Sequence, residues 1–93
     1  MKIECNEFCF YNAKIGLQKN THYEEFNLII SEEDGIFDFY ITLEVEQELE
    51  VKYFVGDKEF LFTGRMERLD FDFQGEVLRA TLINKKTDEV VAL

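Results

Sequence analysis

The stretch FLFTGRMERLDFDFQGE, Phe60 to Glu76, decides the fold. Phe60 and Phe62 occupy even positions, while Leu69, Phe71 and Phe73 occupy odd ones. Side chains of a strand alternate between two faces, so one face cannot hold both sets unless one extra residue is absorbed between them. A β-bulge between Gly64 and Arg68 is the simplest way to absorb it, and a bulge also bends the strand. Bends of this kind let a sheet curl onto itself.

The rest of the chain alternates in the same way, and proline is absent. Residues 2–10 read as a first strand. Ile3 and Cys5 share one parity while Phe8 and Phe10 share the other, which predicts a second bulge at Asn6–Glu7. Residues 13–17 form a short strand, and QKNTH, Gln18 to His22, a loop. Phe26, Leu28 and Ile30 alternate along residues 23–30, and SEEDG, Ser31 to Gly35, is a turn. A long return strand follows, with Phe37, Phe39, Ile41, Leu43 and Val45 on one face and Asp38, Tyr40, Thr42, Glu44 and Glu46 on the other. Leu49, Val51, Tyr53 and Val55 continue it; Gly56–Lys58 is a hairpin turn, Gln74–Gly75 another, and Leu78, Ala80 and Leu82 close the pattern. Thr87 followed by Asp88 and Glu89 predicts one short helical turn at the C-terminus. The expected fold is all-β: a single domain over residues 1–93, built as a small antiparallel barrel or sandwich of about six to eight short strands.

Ten phenylalanines and four tyrosines supply the core of a short chain. Twenty acidic against ten basic residues give a net charge of −10. Such a charge repels phosphate backbones and anionic lipid heads, which argues against direct nucleic-acid binding. It suits either a self-repelling, soluble surface or contact with a basic partner. No stretch approaches the ~20 apolar residues of a membrane span, and MKIECNEF has no apolar signal core. The expected location is the cytoplasm of the producing cell, with incorporation into a virion equally compatible. Cys5 and Cys9 suit a reducing compartment; on one straight strand they would lie about 13 Å apart, too far for a disulfide without a bend.

Catalytic constellations do not emerge. His22 sits in a loop with no nucleophile motif beside it. Asp70 and Asp72 alternate with Leu69, Phe71 and Phe73 and read as a solvated outer face. Two cysteines and one remote histidine fall short of the roughly four ligands of a structural zinc site. No cofactor and no metal are expected, and no enzyme activity. Two surface features point instead to protein contact. Glu44, Glu46, Glu48 and Glu50 stand at every second position. On one strand they would form either a solvated face or a docking strip for Arg or Lys, and a turn at Gln47–Glu48 would divide the strip. Ile36, Tyr40, Phe54 and Leu61 fall on the outward parity and read as an apolar patch, the mark of contact with another chain.

The C-terminal half resembles the first β-barrel domain of phage tail and baseplate hub proteins of the late-control type. The resemblance is carried by Val51 and Tyr53, the Gly56–Asp57 turn, Phe62–Gly64, the alternating Leu69–Phe73, Gly75, and Leu78 running to Asp88. It implies a barrel that packs with copies of itself or with tail proteins and performs no catalysis. The expected function is therefore that of a structural or assembly protein of a phage tail or phage-like particle. The alternative, motivated by the charge and the glutamates, is a small acidic inhibitor that mimics nucleic acid and fills the basic groove of a nucleic-acid enzyme.

Overall fold

The computed structural model describes residues 1–85. The C-terminal turn expected at Thr87 lies outside them. Strands β1 (Ile3–Cys5), β2 (Phe8–Phe10), β3 (Ala13–Lys19) and β4 (Tyr23–Ser31) are followed by a short helix, α1 (Ile36–Tyr40). β5 (Glu48–Val55), β6 (Lys58–Asp72) and β7 (Val77–Lys85) complete one antiparallel seven-stranded sheet in the order β2-β1-β5-β6-β7-β4-β3.

The bulge expected in the middle of β6 is present. Met66 pairs with Leu82 and Arg68 with Thr81, so Glu67 is the extra residue. Burial follows the change of parity: Phe62, Gly64 and Met66 face the core before it, Phe71 after it. The two halves of β6 also pair with different neighbours. Residues 58–65 lie against β5 and residues 65–72 against β7, with Arg65 shared. β6 is thus a single long strand that turns a corner. Phe60, near the start of β6, and Phe73, just past its end, are exposed rather than inward, because each lies past the reach of the core.

Gly64 is needed at the corner. A Cβ there would stand 2.9 Å from the Ile83 carbonyl oxygen of β7 and 2.8 Å from Cε1 of Phe62. The first of these neighbours is backbone and cannot swing aside.

The sheet closes at its other side through consecutive residues. Its two end strands, β2 and β3, are separated only by Tyr11 and Asn12. Ala13 N–H donates to the Met1 carbonyl (3.2 Å) and the Met1 ammonium to the Ala13 carbonyl (3.1 Å), while Ser31 N–H donates to Asn12 (3.2 Å). β2–β3 therefore runs as a second bent strand, whose first part pairs with β1 and whose second part pairs with β4. The result is a closed, barrel-like sheet with two corners and one contiguous core, centred on Phe10, Phe26, Val51, Phe62, Met66 and Leu82.

Two expectations are corrected. The parity change at Asn6–Glu7 is a hairpin turn between β1 and β2, not a bulge. Cys5 faces Phe8 directly, and Asn6 and Glu7 both have positive φ (51° and 69°), as a two-residue type I′ turn requires. The long strand expected over residues 37–46 is instead α1 followed by turns. Its burial repeats at Ile36, Phe39 and Leu43, which is helical spacing, while Phe37, Ile41 and Val45 are exposed.

Two stability measurements check this account. Gly64→Ala forces the corner apart against backbone and should cost about 1–3 kcal/mol, read as a fall in Tm of at least about 4 °C. An unchanged Tm would contradict the close approach of β7. Glu7→Gly relieves a left-handed conformation that costs a non-glycine residue about 1–2 kcal/mol, against an entropic cost of glycine of about 0.5–1 kcal/mol. A small net gain in urea-unfolding stability is expected.

Candidate protein-binding face

The loop Ser31–Gly35 delivers the chain to α1 through Gly35, whose φ of 83° makes the sharp entry. Ile36 and Phe39 then point inward, and the Phe39 ring meets Phe8 and Phe10 at 5.2 and 5.1 Å. The same helical geometry sends Phe37, Tyr40 and Ile41 the other way. Phe37 and Ile41 lie one turn apart, joined by the Ile41 N–H donating to the Phe37 carbonyl (3.1 Å).

α1 meets the far end of β6 there. Phe37, Tyr40, Phe71 and Phe73 form a four-ring cluster in which every pair of centroids is 4.7–6.4 Å apart. Only Phe71 is buried. Phe37 is 49% exposed, Phe73 63% and Ile41 62%. Aromatic carbon on this scale, gathered on one face, is the kind of surface that another protein covers.

Carboxylates border this face. Glu32, Glu33 and Asp34 precede α1, Asp38 lies on it, and Glu76 closes the turn after Phe73. The Glu32 N–H donates to the Glu76 carbonyl (3.0 Å), tying the loop before α1 to that turn. Glu33 accepts from the Tyr11 and Asn12 amides at 3.2 and 2.6 Å, and Asp72 Oδ1 accepts from the Gln74 and Gly75 amides at 3.1 and 3.2 Å. Among the described residues the ion-paired acids are Glu4, Glu24, Glu59 and Glu67, so none of the carboxylates bordering the face has a cationic partner. The sequence explains this. From Lys19 to Lys52 it carries ten acidic residues and no intervening lysine or arginine.

The site residues expected from sequence are only partly brought together. Glu48 and Glu50 share the exposed face of β5, but Glu44 and Glu46 lie in the preceding loop, where Glu46 takes a φ of 78°. The expected four-glutamate strand face is therefore divided, with the turn at Val45–Glu46. Gln47 holds that turn, its side-chain oxygen accepting from the Glu44 amide (2.9 Å). Of the four expected outward apolar residues, Ile36 is 3% exposed and belongs to the core. It faces inward because helical spacing, not alternation, governs its segment. Tyr40 belongs to the ring cluster. Phe54 is half-buried with Lys2 Nζ 4.7 Å from its ring centre. Leu61 is exposed, on the β5–β6 hairpin rather than on the α1 face. Phe37 and Phe73 were assigned inward by alternation. The spacing Ile36–Phe39–Leu43 beside Phe37–Ile41–Val45 is the signal that separates the two faces.

Cys5 and Cys9 are both free, with Cys5 buried and Cys9 exposed. Burial, with a smaller contribution from the Glu50 carboxylate, pushes the Cys5 thiol up to about 11, so it stays protonated at neutral pH. His22 lies exposed in the β3–β4 loop, and Asp70 and Asp72 are exposed on β6. Among the described residues no group of three or more His, Cys, Asp or Glu is placed to hold a metal ion, and no helix is long and apolar enough to cross a membrane. No protein-family model, curated protein or solved structure matches the chain.

The division between core and face is measurable. Ile36→Ala should cost about 2–5 kcal/mol, as deletion of a buried side chain does. Leu61→Ala should leave stability within about 0.5 kcal/mol. Equal effects in urea unfolding would mean that Ile36 does not face the core.

Proposed function

We propose that this chain is a non-enzymatic structural or assembly protein of a phage tail or phage-like particle, acting through protein–protein interfaces. The observation that supports this most is the exposed Phe37, Ile41 and Phe73 gathered on one face, with the half-buried Tyr40 between the rings. Exposed rings cost solubility unless a partner covers them, and aromatic residues are the ones that anchor interfaces. The resemblance of residues 51–88 to tail and baseplate hub barrels supplies the class of particle. In this reading the barrel is a rigid frame and the α1 face is the contact, either with another copy or with a tail protein.

A second reading is favoured by a specific feature, the ten carboxylates between Lys19 and Lys52 without one interposed cation. It makes the chain an acidic inhibitor that occupies the basic groove of a nucleic-acid enzyme. Such binding would be driven by Glu44, Glu46, Glu48 and Glu50 and would weaken steeply with salt.

Co-expression with phage tail and baseplate proteins separates the two. The first reading expects a defined complex or oligomer by light scattering. Phe37→Ala/Phe73→Ala should dissolve it while leaving Tm nearly unchanged. A strictly monomeric chain at high concentration, with no tail component bound, would sink the assembly role. Changing the four glutamates to glutamine should leave assembly intact, whereas the inhibitor reading expects that variant to lose its target.

A further inference from the structure

The aromatic face has a rim of one charge sign, and the rim constrains what can cover it. Asp34 and Asp38 stand on the α1 side, and Glu76 beside the turn that holds Phe73. All three are exposed, and none is in an ion pair among the described residues. A neutral or acidic cover would dehydrate these carboxylates with nothing in return, or add like charge to like. A second copy of the chain is a poor cover. Each copy carries a net charge of −10, so two copies repel.

We infer that the α1 face takes a cationic amphipathic segment of a different protein. Its apolar side chains seat against Phe37, Ile41 and Phe73, and its flanking lysines or arginines meet Asp34, Asp38 and Glu76. The rings contribute to both halves of this recognition. Their edges and faces bury apolar carbon, and an exposed ring face attracts a cation, as Phe54 attracts Lys2 within the molecule. This inference rests on the proposal that the α1 face is an interface, and it adds the chemistry of the partner.

The test uses the whole protein and three fluorescein-labelled peptides of equal length: an amphipathic Leu/Lys helix, an amphipathic Leu/Glu helix and a non-amphipathic Lys/Ser chain. Binding is followed by anisotropy at two salt concentrations, with folding of each variant checked by circular dichroism. The Leu/Lys peptide should bind and the other two should not. Phe73→Ala should weaken it about tenfold, the scale of losing one interface anchor. Asp38→Asn/Glu76→Gln should weaken it severalfold and flatten its salt dependence, while Glu48→Gln/Glu50→Gln, on the separate β5 face, should leave it unchanged. Equal binding of the Lys/Ser peptide would overturn the inference, as would loss on changing the β5 glutamates but not Asp38 and Glu76. Failure of all three peptides overturns it too. If Phe37→Ala/Phe73→Ala still disrupts assembly with a tail protein in that case, the interface itself stands and only the partner chemistry is wrong. If that variant leaves assembly untouched while the Leu/Lys peptide still binds here, the assembly role falls instead.

Discussion

The period of two is the constraint on which the rest of this structure depends. A strand that must offer its core side chains from even positions at one end and odd positions at the other has to discard one residue in between. In β6 that residue is Glu67. Discarding it does more than realign Phe71 with the core. It bends the strand, so that its first half belongs to the ladder with β5 and its second half to the ladder with β7. Gly64 lets the end of β7 pass at backbone contact distance. A straight β6 would leave one flat sheet with an uncovered aromatic face. The bent one lets Phe26 stack on Phe62 at 4.7 Å across the interior.

A second bent strand answers the first. Between Phe10 and Ala13 the chain leaves the ladder with β1 and joins the ladder with β4, with Met1 bonded across the junction. Two corners suffice to wrap one antiparallel sheet around a single core. α1 then bridges β2 and the far end of β6, with Phe39 in the core on one side and Phe37 and Tyr40 against Phe71 and Phe73 on the other. The exposed aromatic face is a consequence of this geometry. The helix has two apolar sides, and the core can take only one.

The sequence made the β6 corner legible because parity is a direct readout of the strand period and the extra residue has nowhere to hide. At Asn6–Glu7 the same readout was ambiguous. A bulge and a two-residue hairpin both shift the apolar register, and only the turn's positive φ values, which sequence reveals poorly for Asn-Glu, separate them. The segment after Gly35 was misread for a different reason. Apolar residues at 36, 37, 39, 40, 41, 43 and 45 satisfy alternation and helical spacing together. Tertiary context decided: Phe8 and Phe10 leave a space that Ile36 and Phe39 fill from a helix. That one choice reversed Ile36 from surface to core, moved Phe37 from core to surface, and split the glutamates into a loop pair and a strand pair. Leu61 kept its outward character because it lies outside this segment, whereas Tyr40, at the end of α1, is half-buried against the core.

The face and its rim share an origin in composition. A run from Asn20 to Val51 without lysine or arginine cannot neutralise its own carboxylates locally, and the cations that do form ion pairs are drawn from Lys2, Lys19, Lys52 and Arg65. Folding brings that run to α1 and sets it beside the Phe73 turn through the Glu32–Glu76 backbone bond. Apolar burial alone would accept many partners, because it is nondirectional. Charge alone would be screened within ~8–10 Å and would give little specificity at physiological salt. Placed side by side on one small face, each supplies what the other lacks. In the proposed interface the rings would provide affinity where water is expelled, and the carboxylates would reject partners of the wrong sign. Discrimination at such an interface would therefore come from rejection by the rim.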